Sequence, residues 1–246
     1  MIHIFSALIP VFSLILIGYL FKRISFPSHE FWPMADKLTY FVLMPSLLIY
    51  KLSSAQFHMD SINFVSASLL AIFFTMIILV IFNKFSSTKN SSFTSIVQGG
   101  IRFNTYVFLA LSDSIFGEEG LILSAIILTF AIPFINVLCV TIFALYSDNE
   151  KLNFKYLVKS IITNPLIIAC TIGGSINFLG ISFHVSIENL LDILSKAALP
   201  LGLLSVGYAL VLKEIKSAKK DLLITCIAKF LILPVLIFIF SFHDLH

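Results

Sequence analysis

Charged residues are scarce in this chain. Only 12% of its 246 residues are Asp, Glu, Lys or Arg, whereas 59% are hydrophobic, and its mean hydropathy is +1.02. A water-soluble domain of this size needs a charged surface that so few ionisable residues cannot supply. The net charge of +3 is also too small, and too interrupted by apolar segments, to indicate a nucleic-acid-binding protein. The composition therefore predicts an integral membrane protein.

Motifs for catalysis, metal binding and cofactor binding are also lacking. The three cysteines fall inside apolar segments at spacings that no zinc site uses, and the six histidines lie at loops or termini with no two at ligand spacing. The sequence contains no HExxH, GxGxxG, P-loop or GxSxG pattern. We therefore predict no catalytic residue, no metal ligand and no cofactor, which argues against a membrane enzyme.

Long apolar segments dominate the chain instead. A bilayer core about 30 Å thick requires roughly 20 helical residues, and segments of that length recur to the end of the sequence. The first has no basic residue before it and no cleavage pattern after it, so we interpret it as a retained span and not as a signal peptide. The eight predicted spans are 2–21, 31–50, 62–82, 93–116, 121–146, 156–179, 187–212 and 222–242.

Lysine and arginine are distributed unevenly between alternate loops. With residue 1 outside, the external loops contain Lys51 alone, whereas the cytoplasmic loops contain Lys22, Arg23, Lys84, Lys89, Lys151, Lys155, Lys159, Lys213, Lys216, Lys219 and Lys220. Cytoplasmic loops of membrane proteins carry an excess of basic residues. The distribution therefore predicts an external N-terminus.

Prolines and glycines recur at a constant spacing of 155 residues. The pairs are Pro10 with Pro165, Gly18 with Gly173, and Pro45 with Pro200. Because this offset covers five spans, an odd number, the second half enters the membrane from the opposite side, as in transporters with inverted repeats. We predict a first five-helix repeat at 1–146, a cytoplasmic linker at 147–155 and an incomplete three-helix repeat at 156–246. By this offset about eight of ten helices are present, so either the sequence is truncated or the repeat interpretation is wrong.

The fourth predicted span carries the most polar side chains at membrane depth. Arg102 and Asn104 follow Gly99 and Gly100, where glycines allow a helix to unwind and expose backbone groups to a small ion or carboxylate. An unpaired guanidinium in a span is costly and needs a partner or water. The alternative is that Arg102 extends to the membrane boundary or pairs with Asp36.

Further polar interruptions lie in other spans. Pro133 and Asn136, in the middle of the fifth span, are predicted to form a second polar interruption. The proline frees a carbonyl one turn earlier, and the asparagine amide can stabilise it. Pro45, Pro165 and Pro200 are the other predicted helix breaks. Lys229 lies deep in the eighth span. Its long side chain either points into the incomplete bundle or, as the default interpretation has it, extends to the membrane boundary.

The order of several short strings resembles the bacterial branch of the auxin efflux carrier family. These strings are 9–12 (IPVF) with 18–20 (GYL), 44–48 (MPSLL), 100–104 (GIRFN), 116–120 (FGEEG), 164–166 (NPL) and 200–204 (PLGLL) with Gly207. The resemblance implies two inverted five-helix repeats, similar to the bile acid sodium symporters, with the broken fourth and ninth helices crossing at the substrate. It implies organic anion substrates such as malate, malonate or auxin, and it assigns Arg102, Asn104 and Asn136 to their binding.

The combined prediction is a secondary transporter for a small organic anion in the bacterial inner membrane. It would work by alternating access, without covalent chemistry. A coupling proton or sodium ion and a homodimer are left open. The alternatives are a channel or structural subunit, which tolerates an incomplete repeat, and a non-functional truncated carrier.

Overall fold

The computed structural model of this chain is all-helical, with no strand among the residues it describes, which are 2–55, 59–86, 88–146, 155, 158–159, 162–211 and 219–243. Its helices are α1 (Ile2–Arg23), α2 (Phe31–Leu38), α3 (Met44–Ser53), α4 (Met59–Phe85), α5 (Asn90–Ile101), α6 (Thr105–Tyr146), α7 (Pro165–Phe178), α8 (Val185–Ala209), α9 (Lys219–Ile227) and α10 (Leu233–His243). π-helical turns at Thr39–Leu43 and Ala228–Ile232 join α2 to α3 and α9 to α10.

Four of the described helical segments are long and apolar enough to cross a membrane. They are Ile62–Phe85, Asn90–Tyr146, Val185–Ala209 and Lys219–Ser241, and α7 is a shorter apolar helix. The prediction of an all-α membrane protein is confirmed at this level. The count of eight spans, the external N-terminus and the bacterial inner membrane stay predictions.

Gly117 divides α6 at the point where the sequence separates the fourth predicted span from the fifth. Its backbone has φ 65° and ψ −153°, which are not helical values. Residues with a Cβ rarely adopt a positive φ, whereas glycine does so at little cost. The acidic pair Glu118 and Glu119 follows directly, so the turn also carries the charge expected of a loop outside the bilayer core.

The prolines affect the helices in different ways. Pro45 is the second residue after the first π-helical turn, so the helix is irregular next to it. Pro165 is the first residue of α7, and the Asn164 side chain accepts hydrogen bonds from the next two amides. The prediction of breaks at Pro133 and Pro200 is corrected, because α6 and α8 continue through them. A proline removes only one backbone hydrogen bond of the helix. Unwinding the helix would leave more backbone N–H and C=O groups without partners.

The chain divides into two compact units, each built from several segments. The first unit comprises Met1–Gln56, Asn104–Thr129 and Thr163–Val211, and the second comprises Phe57–Phe103, Phe130–Ile162 and Leu212–His246. Each unit therefore contains segments from both predicted repeats. The division at 1–146, 147–155 and 156–246 itself stays a prediction.

Helices of the first unit cross closely at glycines. α1 packs against α8, and α3 packs against α7. A Cβ added at Gly18 of α1 would lie 2.1 Å from the carbonyl oxygen of Leu204 in α8, and one at Gly173 of α7 would lie 3.1 Å from the Cα of Ile49 in α3. Small residues at such crossings let helix backbones approach, which is how membrane helices gain packing contacts.

Candidate functional site

A short interruption separates α5 from α6. Helix α5 ends at Ile101, Arg102 has an extended backbone with φ −88° and ψ 135°, and α6 begins at Thr105. The interruption lies within the segment Asn90–Tyr146, which is apolar and long enough to cross a membrane. Hydrocarbon offers no hydrogen bonds to backbone groups, so an interruption at this depth needs partners from the protein or from water.

Asn104 supplies one of these partners, because it caps α6. Its side-chain oxygen accepts a hydrogen bond from the amide of Val107 at 3.1 Å, and its backbone carbonyl accepts one from Phe108. An asparagine at this position satisfies an amide that the first turn of a helix leaves free. Asn104 therefore has a structural role, in which its side-chain N–H groups are not used, and its predicted substrate-binding role stays a prediction.

Arg102 and Asn136 are brought together in the second unit. The Nη2 of Arg102 donates a hydrogen bond to the Oδ1 of Asn136, which is half-buried on α6 one turn after Pro133. Both were predicted from sequence as substrate-binding residues. Asn104 belongs to the first unit and Arg102 and Asn136 to the second.

Gly99 and Gly100 lie inside α5, so the prediction that they break the helix is corrected. A Cβ at Gly99 would lie 2.6 Å from the Cγ2 of Thr225, and one at Gly100 would lie 3.2 Å from the Cβ of Ala228. The two glycines instead allow α5 to approach α9 and the π-helical turn after it. This close packing brings the next residue of that turn, Lys229, to the interruption.

Lys229 was noted from the sequence for its depth, but its contact with the interruption was not predicted. Its half-buried side chain donates a hydrogen bond from Nζ to the backbone carbonyl of Arg102, at 2.5 Å. The side chain thus contacts the helix interruption. The depth of Lys229 in an apolar segment was the sequence signal for a buried contact. The contacting residue, Arg102, could not be identified because it lies 127 residues away in sequence.

The charge at this cluster of Arg102, Asn136 and Lys229 is unbalanced. Among the described residues, carboxylate partners within ion-pair distance are found for Lys51 and Lys196, but not for Arg102 or Lys229. Asp36, which the sequence analysis considered as an ion-pair partner of Arg102, accepts a hydrogen bond from the Tyr106 hydroxyl instead. Two cations bonded only to neutral oxygens form a site that attracts an anion.

Comparison of the chain with protein-family models finds no match, and comparison with curated proteins finds none either. The resemblance to the auxin efflux carriers therefore stays a prediction from the quoted strings.

Proposed function

We propose that the protein is a secondary transporter for a small organic anion and belongs to the auxin efflux carrier family. The observation that carries the proposal is the cluster of Arg102, Asn136 and Lys229 at a helix interruption, with no carboxylate partner for either cation among the described residues. A carboxylate substrate would supply the missing negative charge. In this proposal the protein carries the anion across the bacterial inner membrane by alternating access and performs no covalent step.

The cluster has hydrogen-bond donors to spare. A guanidinium has five N–H groups and an ammonium three, whereas the bonds described above use one group on Arg102 and one on Lys229. Arginine can bind a carboxylate through two parallel bonds, and lysine adds a second positive charge. A carboxylate can accept hydrogen bonds from these donors.

The contacts between helices support the two-repeat part of the proposal. Gly18 packs against Leu204, and Gly173 packs against Ile49. The 155-residue offset relates Gly18 to Gly173 and Ile49 to Leu204, so the two contacts exchange when the repeats are exchanged. A twofold relation between repeats requires such reciprocal contacts.

One pair of boundaries of the compact units also differs by this offset. The first unit ends its N-terminal segment at Gln56 and its C-terminal segment at Val211, which are 155 residues apart. Gln56 is the last residue of that segment in the first predicted repeat, and Val211 is its counterpart in the second. The offset was obtained from prolines and glycines alone, so this pair of boundaries is independent support for the proposal.

Transport by the chain in vesicles tests the proposal. The purified protein is reconstituted, and uptake of labelled malonate, malate and indole-3-acetate is measured with and without the same unlabelled anion inside. We expect saturable uptake of at least one of them that internal anion accelerates, because a carrier exchanges substrate across the membrane and a channel does not. Removing one charge-assisted bond costs about 1.5–3 kcal/mol, so Arg102→Gln should lower uptake by about tenfold or more.

Lys84→Met is the matched control. Lys84 is an exposed cation in the last turn of α4, within the second unit but outside the cluster. Equal uptake by the wild type, Arg102→Gln and Lys84→Met would contradict a role for the cluster. Absence of any accelerated exchange in well-folded wild-type protein would contradict transport.

A further inference from the structure

The turns that follow α1 and α7 have the same backbone conformation, at positions 155 residues apart. Ser25 and Gly180 are related by this offset, and both have a positive φ, of 55° and 64°. In each turn the amide of the next residue donates a hydrogen bond to the carbonyl five residues earlier, at 2.9 Å for Phe26 and 3.1 Å for Ile181. Such a turn is a common way for a helix to end. Residues 155 positions apart are therefore structural counterparts at these two turns.

Side-chain contacts of the two turns also correspond. The Nζ of Lys22 donates a hydrogen bond to the carbonyl of Leu210 at 2.7 Å. The Nδ2 of Asn177 donates one to the carbonyl of Ala55 at 2.8 Å. Lys22 and Asn177 are counterparts, and the two accepting residues are also counterparts. The surroundings of one turn can therefore be compared position by position with those of the other.

Aromatic rings fill the space beside the first turn. The Tyr208 ring stacks on the Trp32 ring, with centroids 4.8 Å apart and an angle of 18° between the planes. The Tyr208 hydroxyl forms a hydrogen bond with the Nδ1 of His29 at 2.5 Å. The indole N–H of Trp32 donates to the carbonyl of Phe26 at 2.9 Å, which attaches the stacked rings to the turn. The phenol of Tyr208 is thus held beside this turn by two neighbouring rings.

A cavity of about 350 Å³ lies beside the second turn. Ser53, the counterpart of Tyr208, lines it together with residues of the turn itself, and the counterpart of Trp32 is Ile187. Because serine and isoleucine stand where the first turn has tyrosine and tryptophan, the two large rings are missing from this side. The volume of the cavity is within the range of small-molecule sites.

Aromatic surface and hydrogen-bond acceptors complete the lining. Tyr50 and Phe183 contribute rings, and the carboxylate of Glu188 has no cation within ion-pair distance among the described residues. The side-chain nitrogen of Asn177 donates to two backbone carbonyls at the end of α3, so its side-chain oxygen is the group that it offers to a ligand as an acceptor. These groups suit a ring that carries an O–H donor.

We propose that this cavity binds a small neutral phenol. Its ring takes the place that the Tyr208 ring takes at the first turn, and its hydroxyl donates to the carboxylate of Glu188. A hydrogen bond to a charged acceptor is stronger than one between neutral groups, and aromatic rings pack favourably on one another. The inference rests on the repeat in the proposed function, because the counterparts define the ligand, but it does not require transport. None of the residues of the transport cluster lines the cavity.

Binding of three related probes tests the proposal. Wild-type protein in nanodiscs of zwitterionic lipid is titrated calorimetrically with 4-methylphenol, toluene and 4-methylcyclohexanol, and empty nanodiscs correct for partitioning into lipid. The first probe is the tyrosine side chain itself, the second lacks its hydroxyl, and the third lacks its planar ring. We expect saturable binding of 4-methylphenol, about tenfold or more tighter than binding of either other probe. Equal affinities of the three probes, or no saturable binding of 4-methylphenol, would overturn the proposal.

Matched variants then locate the site. Ser53→Tyr adds the ring that the counterpart position carries and should abolish binding of 4-methylphenol. Ser186→Tyr is the control, because it adds the same ring at an exposed position of α8 that does not line the cavity. Glu188→Gln, at another exposed position, should weaken binding of 4-methylphenol by about tenfold and leave that of toluene unchanged. Unchanged affinity for 4-methylphenol in folded Ser53→Tyr or Glu188→Gln protein would refute the assignment. Should Ser53→Tyr fail to fold, Glu188→Gln and the comparison of probes on the wild type still decide between the outcomes.

Anion exchange, measured on the same wild-type protein in vesicles, separates this inference from the proposed function. Binding of 4-methylphenol without anion exchange would contradict transport alone. Anion exchange without binding of 4-methylphenol would overturn the phenol site alone.

Discussion

Replacement of Gly18 by alanine perturbs the crossing of α1 and α8 directly. The new Cβ would lie 2.1 Å from the carbonyl oxygen of Leu204, whereas a carbon and a carbonyl oxygen in contact are about 3.3 Å apart or more. The two backbones must therefore separate by about 1 Å at this point. On the facing helix, a Cβ at Gly207 would lie 1.9 Å from the carbonyl oxygen of Ile15, so the crossing is close from both sides.

The expected cost follows from these distances. Overpacking in a well-packed interior typically costs about 1–3 kcal/mol, and backbone atoms cannot rotate away as side chains do. Alanine favours a helix over glycine by about 1 kcal/mol, which offsets only part of this loss. We therefore expect Gly18→Ala to lower the unfolding free energy by about 2 kcal/mol and the midpoint of thermal unfolding by roughly 4–8 °C.

Gly173 and Gly174 provide the comparison. A Cβ at Gly173 would lie 3.0–3.1 Å from Leu52 and Ile49, whereas one at Gly174 would meet nothing within 4 Å. Gly173→Ala should be mildly destabilising, and Gly174→Ala should be neutral or stabilising by up to about 1 kcal/mol. Thermal unfolding of the purified proteins in detergent measures all three. If Gly18→Ala unfolded at the temperature of Gly174→Ala, the close crossing of α1 and α8 would be refuted.

Other variants test the cap, the orientation and a surface ion pair. Asn164→Ala removes the side-chain cap of α7 and should cost about 1 kcal/mol, and a thermal unfolding midpoint equal to that of Asn164→Ser would contradict the cap. In a cysteine-free background, membrane-impermeant maleimide added from outside should label Ser182→Cys and not Ser91→Cys, and the reverse result would invert the predicted topology. Lys51→Met breaks a pair with the exposed Glu118 and should cost less than about 1 kcal/mol, whereas a larger loss in thermal unfolding would mean that the pair is more than a surface contact.

The helices were predictable from the sequence because lipid imposes a simple requirement on them. Apolar segments of about 20 residues must be helical to satisfy their own backbone, and the described helices α4 and α8 match predicted spans within a few residues. The interruption next to Arg102 was predicted near its observed place, since a polar run with two glycines is unusual in an apolar segment. Gly117 likewise falls between two predicted spans.

The contacts at the interruption were less predictable. Gly99 and Gly100 are as consistent with an unwound helix as with close packing, and only the position of Thr225 in three dimensions decides between them. The cap at Asn104 was not predicted, although the residue that ends an interruption also begins the next helix. The hydrogen bond from Lys229 to Arg102 depends on a π-helical turn, for which the sequence gives no signal beyond a proline downstream.

Direct binding of an anion to the purified protein tests the central claim most closely. Labelled malonate, malate and indole-3-acetate are titrated onto wild-type protein, Lys229→Gln and Lys84→Met in nanodiscs. Glutamine can still donate a hydrogen bond to the Arg102 carbonyl but carries no charge. The variant therefore tests whether the positive charge of Lys229, and not only its hydrogen bond to the interruption, is needed for anion binding. We predict saturable binding of at least one anion to the wild type and to Lys84→Met, weakened about tenfold or more in Lys229→Gln. Equal affinity in all three proteins, or no binding to folded wild type, would contradict an organic-anion site at this cluster.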